Sequence, residues 1–168
     1  MSERTALITR VYTVSEKLNI EKTLTDRIIK AYLEFCKNEL ICGHRVNFCG
    51  IALIVPKYEE FNYKTTFAYK CSKIAESNAL PYNTVLQVVL EYIGTIKDDI
   101  FNGRPANIYG LITLTPLYEN GVVTRIHASI SQSLQEYLRG YGTHARASTT
   151  KVFKRKVKEA CISDRKNT

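Results

Sequence analysis

The chain contains 168 residues, of which 45% are hydrophobic and 24% are charged, and its formal net charge is +8 at pH 7. This composition is typical of a soluble globular protein with one ordinary domain or two very small ones, and it excludes a disordered chain, a collagen and a disulfide-rich scaffold. No apolar run approaches the roughly 18 residues that span a bilayer, and no signal peptide is visible. The five cysteines include no Cys-x-x-Cys pair, so we expect reduced thiols, an intracellular location and no zinc site.

The first predicted elements are two helices followed by short strands. Apolar side chains recur in the second, longer helix at spacings of three and four residues, which gives it one apolar face. Gly43 is suited to end this helix, because glycine adopts left-handed backbone conformations without steric cost. Gly50 marks a turn between two strands. The predicted elements are, in chain order, helices over about 4–17 and 22–42 and strands over about 45–48, 51–55 and 64–70.

The same order recurs 60 residues later without a gap, so that residues 14–60 align with 74–120. The glycines and prolines among the identities punctuate both copies at the same points, which indicates a tandem duplication. The identical pairs are Glu16/Glu76, Tyr32/Tyr92, Lys37/Lys97, Gly43/Gly103, Asn47/Asn107, Gly50/Gly110, Pro56/Pro116, Tyr58/Tyr118 and Glu59/Glu119. The second copy is predicted to contain helices over about 69–78 and 82–102 and strands over about 105–108, 111–115 and 122–130.

Each copy carries a short glycine-bounded motif directly after its long helix. The motif is Gly43-His-Arg-Val-Asn-Phe-Cys-Gly50 in the first copy and Gly103-Arg-Pro-Ala-Asn-Ile-Tyr-Gly110 in the second. Two helices, this motif and a following strand resemble the HU and integration host factor family of histone-like DNA-binding proteins. The resemblance implies an α+β fold in which each unit has two helices and a three-stranded antiparallel sheet.

Members of that family dimerise, with the helical pairs as a base and the two sheets as a saddle. Because one chain here carries both units, the resemblance implies an intramolecular pseudo-dimer, which is a monomer with an internal pseudo-twofold axis; a homo-oligomer is the alternative. A half of about 60 residues would otherwise have too small a core to be stable alone. The corresponding boundaries are 1–66 for the first HU-like repeat, 67–138 for the second and 139–168 for a basic C-terminal tail.

The connectors between the second and third predicted strands differ from the arms of that family, which are long, basic and tipped with a proline that inserts between base steps. Here both connectors are short, and they carry Glu59, Glu60 and Glu119 near the predicted tips. Acidic side chains repel phosphates, so the sequence argues against minor-groove insertion and sharp DNA bending. Binding through backbone charge alone does not need such arms.

The charge is concentrated at the C-terminus. Residues 139–168 contain nine basic and two acidic side chains, a net charge of +7, so the first 138 residues carry only +1. We expect a flexible connector over 140–150 and a basic helix over 151–160. This asymmetry favours a polyanionic partner, with nucleic acid foremost, although a solvated tail or a helix docked on the core would also account for it. The predicted DNA-binding residues are Lys57, Lys64, Arg104, Arg125, Arg146, Lys151, Lys154, Arg155, Lys156 and Lys158.

No catalytic constellation is visible, since the three histidines are scattered and neither a phosphate-binding loop nor a nucleophile motif occurs. We therefore expect no enzymatic activity, no cofactor and no metal. The sequence favours sequence-independent binding of double-stranded DNA by a histone-like protein, either nucleoid-associated in the cytoplasm or a viral accessory protein in a host cytoplasm. The alternative is a non-enzymatic structural or protein-interaction module, for example of a virus particle, that keeps the HU-like fold without DNA-bending arms.

Overall fold

The computed structural model describes residues 3–60 and 65–166, with side chains for 5–60 and 65–161. Within these residues the protein is α+β, with six helices and two three-stranded antiparallel sheets of strand order β1-β2-β6 and β3-β4-β5. The elements are α1 (Glu3–Leu18), α2 (Lys22–Ile41), β1 (Val46–Phe48), β2 (Ala52–Pro56), α3 (Phe67–Ser77), α4 (Tyr82–Phe101), β3 (Ala106–Ile108), β4 (Ile112–Glu119), β5 (Val122–Ile130), α5 (Gln132–Gly140), β6 (Ala145–Thr149) and α6 (Lys151–Lys166).

The two halves of the chain fold alike at the spacing of 60 residues seen in the sequence. Asn19 and Ala79, both with a φ of 53°, make the sharp links between the paired helices. Gly43 and Gly103, with φ of 81° and 76°, follow the long helices α2 and α4 in the left-handed region that glycine favours. The predicted bounds of both long helices are confirmed to within one residue.

The first sheet does not take its third strand from the predicted segment 64–70. Helix α3 begins at Phe67 instead, and Thr66 caps it by accepting a hydrogen bond from the Tyr69 amide at 3.1 Å. The third strand is β6, which pairs antiparallel with all five residues of β2. The prediction of a flexible connector over 140–150 is therefore wrong, because Ala145–Thr149 in the middle of that segment is a strand of the sheet.

Strand β6 and helix α6 repeat the geometry of β5 and α5. Ser131 and Thr150 each precede a helix, and each side chain accepts a hydrogen bond from the amide three residues later, at 3.2 and 3.3 Å. The Thr150 side chain also donates to the Gly50 carbonyl. The matching strand pairs are Ala52 with Thr149 and Ile112 with Ile130, and the matching backbone bonds are Thr150 N to Ile51 O and Ser131 N to Leu111 O, both 2.9 Å.

Among the described residues, one apolar core joins the helices to the inner faces of both sheets, and it includes the almost fully buried Tyr32 of α2 and Tyr92 of α4. The last two helices cross between halves: α5 packs against α2, and α6 packs against α4, where the Phe101 and Phe153 rings meet edge to face at 5.7 Å. None of the helices in the described part of the chain has the length and apolar character that a membrane span requires.

Candidate nucleic-acid interface

The two sheets lie side by side and turn one face away from the core. Strand β5 lies along β6, and the Thr149 hydroxyl donates to the Ile126 carbonyl across the boundary at 3.3 Å. Side chains alternate along each strand, so buried residues face the helices and the others face outward. On β6 the exposed, outward-facing residues are Arg146 and Ser148. The outer face is thus polar in its middle, where the two sheets meet.

A groove runs along β6 from α5 to the outer face of the first sheet, and we call it the β6 groove. It consists of three adjoining depressions of about 500, 270 and 610 Å³. His144 borders the first two, and Arg146 borders the last two. The basic side chains along its length are Arg139, His144, Arg146, Lys57 and Arg45, and the acidic one is Glu59.

Glu59, the acidic side chain among the described residues of the groove, is already ion-paired. Both oxygens of the Glu59 carboxylate accept hydrogen bonds from the Arg45 guanidinium, with Arg45 Nη2 at 2.9 Å. This bonding lowers the pKa of Glu59, and the nearby charge of Arg146 lowers it further. Among the described residues, Arg139, Arg146 and Lys57 have no carboxylate within 4 Å, so these three side chains are available to an anion from another molecule.

Helix α6 presents a second set of cations. Its buried Phe153 and Val157 fix the helix on the core, and the opposite surface is basic. Lys151, Lys154, Arg155 and Lys158 follow the spacing i, i+3, i+4 and i+7, which places them on one face of a helix. We call these four residues the α6 stripe.

The helical body, by which we mean residues 5–104, differs from the C-terminal region in how many of its basic side chains form ion pairs. Most basic side chains described between residues 5 and 104 lie within 4 Å of a carboxylate, as in the pairs of Lys17 with Glu91 and Lys30 with Asp26. Between residues 125 and 158, no basic side chain of the described part of the chain does so. Cations without carboxylate partners are free to bind the anions of another molecule.

The structure places the predicted DNA-binding residues in several environments. Lys57 and Arg146 lie together in the β6 groove. Arg125 faces outward on β5 opposite Leu117. Arg104 donates to Asp99 at 3.0 Å, and that carboxylate also binds Arg10 of α1 at 2.8 Å, so Arg104 is engaged within the protein. Lys151, Lys154, Arg155 and Lys158 form the α6 stripe, Lys156 borders a separate cavity, and Lys64 lies outside the described residues.

Sequence reasoning missed Arg45, Arg139 and His144 as groove residues. Arg139 is part of the charge excess of the C-terminal segment, but its place at one end of the groove depends on the path from α5 to β6. Arg45 precedes β1 and reaches the groove because β6 pairs beside β2. No short sequence pattern around Arg139 or Arg45 indicates a groove residue, because the groove forms only when the distant strands β2 and β6 pair.

The described hairpin between β4 and β5 has no extended arm. Asn120 and Gly121, with φ of 54° and 75°, form a two-residue turn, and Glu119 lies beside it. Tyr118 folds back onto Gly103, where any Cβ atom would overlap its ring. The described side chains contain no group of three or more His, Cys, Asp or Glu residues placed to hold a metal ion.

Comparison of this chain with protein-family models, with curated proteins and with solved structures finds no match.

Proposed function

We propose that the protein binds double-stranded DNA without sequence preference, through phosphate contacts made by the β6 groove and the α6 stripe. The observation that carries this proposal is the absence of carboxylate partners for the described basic side chains from Arg125 to Lys158, while most cations of the helical body are paired. Displacement of counterions from DNA by such cations supplies affinity that does not depend on sequence.

We further propose that the chain consists of two HU-like units packed as an intramolecular pseudo-dimer. The supporting features are the recurrence of helix, helix and strand pair at 60 residues, and the supply of the first unit's third strand and last helix by β6 and α6. Because each half packs its last helix on the long helix of the other, we expect a monomer at micromolar concentration, which light scattering would test.

The same geometry favours binding without strong bending. An architectural protein that kinks DNA inserts apolar residues from a projecting element between base steps. The β4–β5 hairpin ends in a two-residue turn next to Glu119. A duplex bound to this protein should therefore keep nearly its free curvature, which a permuted-site gel-shift or a fluorescence end-to-end distance would show.

The test is a DNA titration at several salt concentrations with charge-matched variants. Each cation that contacts a phosphate contributes roughly 0.9 to the slope of log affinity against log salt. Replacing Lys57, Arg139 and Arg146 by glutamine should therefore reduce the slope by about 2.7 if all three make contacts. The control replaces Lys17, Lys30 and Lys73, which are ion-paired on the helical body, and removes the same charge elsewhere.

The proposal predicts that the groove variant loses affinity on unrelated duplexes equally, and that the control variant changes it much less. Replacing the four residues of the α6 stripe by glutamine should give a similar loss. Equal losses in groove and control variants would show that net charge alone drives association.

No binding by the full chain at low salt would overturn the DNA proposal in favour of a protein-interaction module. The outer sheet face carries half-buried Leu53, Val55 and Leu117 among its polar residues, and these are the features that favour a protein partner.

A further inference from the structure

A second cavity lies outside the β6 groove, where the β1–β2 turn, the end of α4 and the start of α6 meet. It has a volume of about 300 Å³, which is at the small end of the range for ligand pockets. Its charged residues are Lys97 and Lys156, and neither has a carboxylate within 4 Å among the described residues. The remaining lining residues are Asn47, Cys49, Gly50, Phe101, Thr150, Val152 and Phe153.

The other half of the protein provides an internal reference for this cavity, because Lys37 occupies in α2 the position of Lys97 in α4. Lys37 has two partners: the Glu34 carboxylate at 3.9 Å and the Tyr137 ring, whose centroid is 5.5 Å from Nζ. The lysine also covers the β3–β4 turn, since a Cβ atom on Gly110 would lie 3.1 Å from Lys37 Cε and 3.2 Å from Nζ. These three contacts enclose the Lys37 side chain, and we call the surroundings of Lys37 the closed half.

Neither partner of Lys37 has an equivalent beside Lys97. Gly94 stands in α4 where Glu34 stands in α2, and Lys156 stands in α6 where Tyr137 stands in α5. A Cβ atom on Gly50, at the equivalent turn, would meet no atom within 4 Å. Lys37 has one ion pair and one cation–π contact, whereas Lys97 has at the same two positions no side chain and the ammonium group of Lys156, and it borders an accessible space.

Part of the cavity lining is apolar. The Phe101 and Phe153 rings meet edge to face at 5.7 Å, and Val152 is half exposed beside them. Cys49 also lines the cavity. Its thiol lies 3.7 Å from the Tyr32 hydroxyl; burial raises the pKa of this thiol, while the Tyr32 contact and the charges of Lys70 and Lys97 oppose that rise. A cavity lined by two lysines together with aromatic and aliphatic side chains suits a ligand that has an anionic group and a flat apolar part.

We propose that this cavity binds a small phosphate monoester with an aromatic part, of the size of a mononucleotide, with Lys97 and Lys156 on the phosphate. The proposal does not depend on DNA binding through the β6 groove, because the two sites share no lining residue. The phosphate could belong to a free nucleotide or to the 5′ end of a DNA strand, and the experiment distinguishes these two sources.

The experiment titrates the full chain with AMP and follows backbone amide chemical shifts. The amides of Gly50 and Thr150 report on the cavity, and those of Gly110 and Ser131 report on the closed half. We expect saturable shifts at the first pair only, with inorganic phosphate and adenosine each binding more weakly than AMP. Equal shifts in both halves, or adenosine binding as tightly as AMP, would overturn the proposal.

Two kinds of variant sharpen the test. Lys97→Gln and Lys156→Gln should each weaken AMP binding by about tenfold, because each loses a charge-assisted contact. Lys37→Gln is the matched control and should leave AMP affinity within about twofold, since that lysine is engaged elsewhere. Unchanged affinity in both cavity variants would contradict the assignment of the phosphate to these lysines.

Gly94→Glu restores the carboxylate found in the closed half, three residues before Lys97. A Cβ atom on Gly94 meets nothing within 4 Å, and glutamate is a better helix former than glycine. We expect a fold at least as stable as the original and AMP binding about tenfold weaker. Normal AMP binding in this variant would contradict the argument from the two halves.

A blunt duplex with and without 5′-phosphates identifies the source of the phosphate. Shifts at Gly50 and Thr150 with the phosphorylated duplex alone would assign the cavity to DNA ends. Shifts with AMP but with neither duplex would assign it to a free nucleotide.

Discussion

The two sheets have the same register but are assembled from different distances along the chain. Strands β3, β4 and β5 are consecutive, and a two-residue turn joins the last two. In the other sheet, β6 pairs with β2 across most of the chain, and the bond from the Thr150 hydroxyl to the Gly50 carbonyl spans 100 residues. The same local geometry is therefore reached once by a hairpin and once by a long-range closure.

This difference shows that the basic C-terminal segment has a structural role as well as a charge. Removing it would delete one strand of a sheet together with the buried side chains of α6, so a truncated chain cannot report on DNA affinity alone. The loop entropy of such a distant pairing must be overcome before its contacts form. We expect the first sheet to be the later of the two to form during folding.

The largest effect should come from ending the chain after residue 144, which removes β6 and α6. The loss of two buried apolar side chains, worth about 1.5–3 kcal/mol each, together with the β2–β6 ladder should lower the free energy of unfolding by about 5 kcal/mol or more. Urea unfolding followed by circular dichroism would measure this. A truncated chain with an unchanged cooperative transition would show that the first sheet does not need its third strand.

A pair of core substitutions tests whether the two sheets unfold together. Phe153→Ala should cost about 3–5 kcal/mol and Leu134→Ala about 2–5 kcal/mol, because each removes a buried side chain and leaves a cavity in the core. Since the apolar core is continuous, we expect each variant to reduce amide hydrogen-exchange protection in both sheets. Loss confined to β1, β2 and β6 in Phe153→Ala would show that the first sheet opens independently.

The two helix caps should differ by a smaller amount. Ser131→Ala removes one capping bond and should cost about 1 kcal/mol. Thr150→Ala also removes the bond to the Gly50 carbonyl, so we expect about 2 kcal/mol. Thr150→Ser keeps both hydroxyl functions and is the control. Equal losses for the two alanine variants in thermal unfolding would mean that the link from β6 to the β1–β2 turn adds nothing.

The smallest effect concerns the acidic residue after each second strand. Glu59 binds Arg45, which lowers the pKa of Glu59, whereas Pro105 takes the place of that arginine in the other half and Glu119 lacks this partner. A lowered pKa in the folded state gives stability that is present above the ordinary pKa of glutamate and is lost as pH falls through the lowered value. Glu59→Gln should therefore slightly lower the melting temperature at neutral pH, and Glu119→Gln should not. The difference should vanish in acid and shrink in high salt.

Local signals were sufficient for much of this structure. The bounds of α2 and α4, the turns after Gly43 and Gly103 and the strand at 122–130 follow from apolar periodicity, glycine conformation and β-branched residues, which act over a few neighbouring positions. The duplication extended these predictions from one copy to the other. The prediction of a third strand at 64–70 was wrong, because the first sheet is completed by the distant strand β6 and not by the residues that follow β2.

The sequence by itself determined the repeated unit, its helices and the position of the charge excess, because each depends on residue type and short spacing. Only the tertiary structure decided the role of Ala145–Thr149, whose short run of small and polar residues becomes a strand through its pairing with β2. The tertiary structure also decided which lysines have a carboxylate or an aromatic ring as a partner. Lys37 and Lys97 occupy equivalent positions in the two copies, but Lys37 contacts a carboxylate and an aromatic ring, while Lys97 lines a cavity together with Lys156. Such contacts depend on which distant helices and turns converge, and no local pattern encodes that convergence.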